Sequence, residues 1–86
     1  MTPDGVLQRY PRETVRWLRG RLGLTQLVFA ARVGTSIKTV QGWEQGRTRI
    51  GLPYHQRLVR LLVPHLHTEA GRAWLATLGE ERASDG

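Results

Sequence analysis

Glycines at positions 23, 34 and 46 stand just past the ends of short apolar runs, and Thr25 and Ser36 stand just before the starts of two of them. Glycine closes a helix because it enters the left-handed conformation without a steric penalty. Serine and threonine open one because the side-chain oxygen takes a free N–H of the first turn. The chain from Thr25 to Gly46 is thereby confined to two short helices joined by one tight turn. Leu27 to Val33 form the first apolar stretch, and Val40 and Trp43 mark the buried stripe of the second.

A chain of 86 residues makes one small domain, with no room for a second core. It has no cysteine and three histidines. Disulfide frameworks, thiol nucleophiles and thiolate zinc sites are therefore excluded. His65 and His67 lack a third ligand, and neither a metal nor a cofactor is expected. Thirteen Lys and Arg oppose seven Asp and Glu, giving a formal charge of +6. The excess is confined to the first 65 residues, where eleven cations face three acids; the remainder holds two cations and four acids. A polyanionic partner is the natural complement of such a body. Met1 to Gly5 lacks the basic and apolar character of a leader, and no apolar window is long enough to span a bilayer, so the expected location is the cytoplasm and no membrane contact is expected.

Helical signals continue on both sides. Pro11 suits a first helical position, and Val15, Leu18 and Leu22 follow on one face, predicting a helix from about Pro11 to Leu22. A further helix is expected from Pro53 to Val63, with Pro64 as its terminator. Thr68 caps a fifth, whose apolar side reaches Gly79. Alternating β-branched runs are absent. The expected fold is all-α with five helices: an N-terminal arm over 1–10, a domain over 11–79 and a flexible polar tail over 80–86.

Two capped helices separated by one glycine turn describe a helix-turn-helix. Ala30, small and inward, permits a close crossing, while Val33, Val40 and Trp43 seal the angle. At roughly 100° per residue, Ile37, Lys38, Gln41 and Gly42 share one face opposite Val40 and Trp43.

Leu18-Arg19, Gly23-Leu24-Thr25-Gln26, Phe29-Ala30, Gly34-Thr35-Ser36, Thr39-Val40 and Trp43-Glu44-Gln45-Gly46 together resemble the Xre/Cro-type helix-turn-helix family of phage repressors, antitoxins and controller proteins. The resemblance covers about residues 12 to 63 and implies a compact, lambda-repressor-like domain that binds double-stranded DNA. It assigns base reading to Ile37, Lys38, Gln41 and Gly42. Phosphate contacts fall to Thr25, Gln26, Ser36 and Thr39 near helix N-termini, and to Arg47, Thr48 and Arg49 in the following loop. Arg19 and Glu44 match a structural ion pair that orients the second helix of the motif.

The chemistry admits those roles. A helix N-terminus favours an anion beside Gln26, Lys38 can donate to guanine O6 and N7, and Ile37 can touch a thymine methyl. Each has a plainer counterpart: Gln26 as a polar cap, Lys38 as a solvated cation, Gly42 as a weak spot in a short helix instead of a point of close DNA approach. Leu27 and Val28 stand where the family carries polar residues, which means either an extra protein contact or a wider core. Trp17 falls at the edge of its helix's apolar stripe. Ala70, Trp74 and Leu78 are expected to build a homodimer, with a fold-back of Trp74 onto Trp17 as the competing arrangement.

The function expected from these features is a dimeric, sequence-specific repressor or autoregulator, with an antitoxin and its cognate toxin, or another protein partner, as one setting. The alternative is a helix-turn-helix protein-interaction module that has lost DNA reading. An enzyme is not expected, because no phosphate loop, paired carboxylate or base–nucleophile set can be named.

Overall fold

Thr2 and Pro3 begin a helix within the segment expected to be an arm. The computed structural model describes the backbone of residues 2–85 and the side chains of residues 2–79. Among the described residues there are six helices and no strand: α1 (Pro3–Arg9), α2 (Pro11–Leu22), α3 (Gln26–Val33), α4 (Ile37–Glu44), α5 (Leu52–Leu66) and α6 (Glu69–Asp85). The Thr2 hydroxyl accepts from the Gly5 amide at 3.0 Å, Pro3 fills the first turn, and Asp4 adds a carboxylate where the helix dipole favours one. Val6 and Leu7 are fully buried, so α1 contributes to the core and lies against α2 and α5. This corrects the reading of 1–10 as an arm and raises the helix count from five to six.

Gly23 closes α2 at φ +68°, where the Leu24 amide reaches back to the Arg19 carbonyl at 3.1 Å. Gly34 closes α3 at φ +84°, with its own amide and that of Thr35 both on the Ala30 carbonyl at 2.9 Å. Thr25 and Ser36 cap α3 and α4 by accepting from the Val28 and Thr39 amides, each at 3.2 Å. The protein is an all-α helix-turn-helix fold, with Phe29, Ala30, Val33, Val40 and Trp43 buried where α3 and α4 meet the rest of the domain.

α5 does not stop at Pro64. It runs to Leu66, because Leu58, Leu62 and Leu66 form one continuous buried row. Only two residues of the helix follow the proline, so the lost N–H and the ring's clash are confined to the last turn. Thr68 then caps α6, its hydroxyl accepting from the Gly71 amide at 3.0 Å and donating to the His65 carbonyl at 2.6 Å. α6 passes Gly79 and continues to Asp85, where a helix end and a flexible tail were expected.

The α5–α6 crossing depends on Gly71. A β-carbon there would lie 2.7 Å from Leu66 Cα and nearer still to the His65 carbonyl oxygen, and these backbone atoms cannot step aside alone. Gly71→Ala is expected to lower stability by about 1–3 kcal/mol, the usual range for overpacking. For a domain of this size, thermal melting should fall by roughly 4–8 °C per kcal/mol. An unchanged melting temperature would mean that α6 is not seated this closely.

α6 returns over α2 and places Trp74 on Trp17, ring centroids 4.6 Å apart and planes within 8° of parallel. Leu78 is buried in the same chain. Among the expected dimer residues, Trp74 and Leu78 are thus already engaged within the chain. Of the two arrangements expected for Trp74, the fold-back is the one observed.

Candidate nucleic-acid interface

The surface built by α3, α4 and the loop after α4 begins with a polarity split on α4. Val40 and Trp43 are buried against the core, while Ile37 and Lys38 are exposed and Gln41 is half-buried. Gln41 Nε2 donates to Gln26 Oε1 at 3.4 Å, joining the outer face of α4 to the first residue of α3. Thr25 and Ser36 spend their oxygen lone pairs on capping, and Ser36 Oγ is also 3.0 Å from Thr39 Oγ1. A capping hydroxyl still carries a proton that it can donate outward.

Gly42 is not on this open face. It is buried, and a β-carbon there would lie 2.9 Å from Thr48 Cβ and closer to Thr48 Oγ1. The helical wheel placed it with Ile37, Lys38 and Gln41, but the loop folds back and covers it. Gly42 is therefore corrected from a base-facing position to the seat of Thr48.

That loop carries Arg47, Thr48 and Arg49, all exposed. Gly46, at φ +73°, turns the chain, and the amides of Arg47 and Thr48 both bond the Gly42 carbonyl, at 2.9 and 3.3 Å. Arg12 was not singled out in the sequence, yet a β-carbon on Gly46 would lie 3.8 Å from its Cδ and Nη1. It adds a third cation beside the loop, half exposed and joined among the described residues only to its neighbour Glu13, at 3.4 Å. No local pattern marks it, since the approach depends on how α2 crosses the end of α4.

Arg19 and Glu44 tie α2 to the last turn of α4 through two parallel bonds, Nε to Oε2 at 2.7 Å and Nη2 to Oε1 at 3.0 Å. Arg19 Nη1 also donates to the Leu24 carbonyl at 3.1 Å, across the turn that precedes α3. One guanidinium thus fixes the start of α3 and the end of α4 together. Its pKa is raised by the hydrogen bond to Glu44, opposed by burial and assisted by the carboxylate's charge. Glu44 is 4% exposed, so its carboxylate depends on this partner.

A second clamp was also missed. Arg57 of α5 donates to the Val33 carbonyl at 2.9 Å, at the C-terminal end of α3, and lies 5.8 Å from the Tyr54 ring centre. A cation is favoured there by the helix dipole. Gly34 leaves the required space, since a β-carbon would fall 2.6 Å from Arg57 Nη1. The turn of the motif is thereby anchored to α5.

Leu27 is 63% exposed and Val28 47%. Of their two expected readings, the wider core is excluded. The described residues contain no set of three His, Cys, Asp or Glu that could hold a metal, and no described helix is long and apolar enough to cross a membrane.

Comparison with known proteins returns one family profile, described as "Helix-turn-helix domain", over residues 12–63, from the first turn of α2 to near the end of α5. No curated protein and no solved structure gives a match. The matched span covers more than half of the chain and contains both capped helices and the Arg19–Glu44 clamp, and the chain belongs to the helix-turn-helix domain family.

Proposed function

We propose that the protein is a sequence-specific DNA-binding regulator of the Xre/Cro type, which reads the major groove with α4 and acts by occupying an operator. The observation that carries this reading is the outer face of α4: Lys38 and Gln41 project from a helix whose opposite face is fully committed to the core, and Gln41 holds Gln26 at the start of α3. A helix of this kind fits the major groove, with the preceding helix lying over the backbone.

In this reading, Lys38 donates to guanine O6 and N7, and Ile37 contacts a thymine methyl. Gln41 contacts a base edge while supporting Gln26 at a phosphate, where the first amides of α3 favour an anion. Thr25 donates its hydroxyl proton to a phosphate, and the Ser36–Thr39 pair, in which one hydroxyl donates to the other, offers the remaining proton to a second. Arg47, Thr48, Arg49 and Arg12 bind the backbone on the far side, consistent with the chain's formal charge of +6. One such helix reads only a few base pairs, so the functional species is a homodimer spanning half-sites about 34 Å apart. Repression of a nearby promoter follows from occupancy. The exposed Leu27 and Val28 favour a second capacity, contact with another protein such as a cognate toxin.

The assignment makes a divided prediction. Lys38→Ala is expected to lose about 1–3 kcal/mol of discrimination at one half-site position. Arg47→Ala and Arg49→Ala should weaken all sequences alike, each flattening the slope of log K against log salt by about 0.9. In vitro selection of bound duplexes with wild-type and variant proteins measures both. Identical selected sequences for wild type and Lys38→Ala would remove Lys38 from the reading set.

A further inference from the structure

A glycine inside a short helix weakens that helix relative to alanine, and α4 carries one at its sixth position, directly after Gln41. Its backbone torsions are ordinary, because the positive-φ glycines are Gly23, Gly34 and Gly46. Left-handed geometry is therefore not the reason for a glycine at this position. What the missing side chain permits is contact: Thr48 descends onto the helix at Gly42, within 2.9 Å of where a β-carbon would stand. The same residue accepts both amides that begin the basic loop, Arg47 N at 2.9 Å and Thr48 N at 3.3 Å.

We infer that Gly42 and Thr48 form a lock that sets the register between the base-reading helix and its phosphate-binding loop, making Gly42 a positioning residue for DNA recognition. The inference rests on the DNA-binding reading above and extends it to a residue that touches no DNA. Two features give it force. Arg47 and Arg49 flank Thr48 and make no ion pair among the described residues, so their guanidinium groups are free to meet phosphates. Their backbone anchor is a carbonyl of the helix that carries Lys38 and Gln41, so helix and loop move as one body. Phosphate contacts fix the orientation in which base contacts are made. A loop displaced by even a few tenths of an ångström therefore alters both.

A β-carbon at Gly42 collides with Thr48 and lifts the loop, while raising the intrinsic helix propensity of α4. The two effects oppose each other in stability but not in DNA binding. Gly42→Ala is thus expected to keep a near wild-type melting temperature, bind a selected operator about ten- to a hundred-fold more weakly, the scale of one lost charged contact, and lose about 0.9 or more from the salt slope. Thr48→Gly by itself should weaken binding, because the loop loses its seat and the hydroxyl its phosphate contact. Placed in the Gly42→Ala background, the same substitution removes the collision and should cost clearly less than it does alone. Such coupling in affinity, with melting unchanged, separates a positioning glycine from one that only supports folding.

The experiment is a double-mutant cycle on the full chain, with operator affinity, salt slope and melting measured for each protein. Amide hydrogen exchange at Arg47 and Thr48, without DNA, accompanies it. The lock predicts protected Arg47 and Thr48 amides in the wild type and faster exchange in Gly42→Ala. Wild-type affinity and slope in Gly42→Ala, or a loss in the double variant equal to the sum of the two single losses, would overturn the lock while leaving the DNA reading intact. Failure of the wild type to prefer any duplex would overturn the DNA reading and the proposed role together, even where the exchange data still show the loop seated on α4.

Discussion

Arg19→Ala is expected to cost about 3–5 kcal/mol, the range for breaking one side of a buried ion pair. The substitution strands Glu44, which is 4% exposed and takes both of its strong bonds from Arg19. It also frees the Leu24 carbonyl at the entrance to α3. The reverse change should be milder. In Glu44→Ala the guanidinium, whose side chain is 26% exposed, can turn toward water, so about 2–3 kcal/mol is expected. Thermal melting of both variants tests the order. Equal melting temperatures for wild type and Arg19→Ala would show that the clamp contributes nothing to folding.

The second large effect is expected at Trp74. Full truncation of a buried aromatic side chain costs about 3–5 kcal/mol, and Trp74 is only half-buried, which brings the expectation for Trp74→Ala to about 2–3 kcal/mol. The loss arises within one chain, because the indole covers Trp17 at 4.6 Å. The variant should therefore melt earlier while keeping the wild-type sedimentation coefficient at the same protein concentration. A variant that sediments as a smaller species without losing stability would instead make Trp74 an interface residue.

The motif was readable in the sequence because its boundaries are chemical. Thr25, Ser36, Gly23 and Gly34 each perform a local act, a cap or a left-handed turn, that requires no knowledge of the rest of the chain. α1 was not readable in the same way, since Pro3-Asp4-Gly5 has the composition of a turn as well as of a capped first turn. The buried surface of Val6 and Leu7, supplied by α2 and α5, decides between the two. Pro64 misled for a related reason: the row through Leu58, Leu62 and Leu66 gains more from burial than the last turn loses to the proline.

At the candidate interface the limits were set by segments that return in space. The 100° helical wheel correctly separated Lys38 and Gln41 from Val40 and Trp43. It could not show that Thr48 would come back over Gly42, nor that Arg12 and Arg57 would reach the motif from α2 and α5. Those contacts depend on helix crossings, which periodicity within one helix does not specify.

The central claim is that the outer face of α4 and its basic loop form a DNA-reading surface. Its most direct test is amide chemical-shift mapping during titration with a duplex obtained by selection, alongside a shuffled duplex of equal length and charge. The selected duplex is expected to shift Gln26, Ile37, Lys38, Gln41 and the Arg47–Arg49 loop in saturable fashion and to leave most of α6 unmoved. The shuffled duplex should bind at least about a thousand-fold more weakly at physiological salt. Equal affinity for both duplexes, or shifts centred on Leu27 and Val28 with none on Lys38 and Gln41, would contradict it.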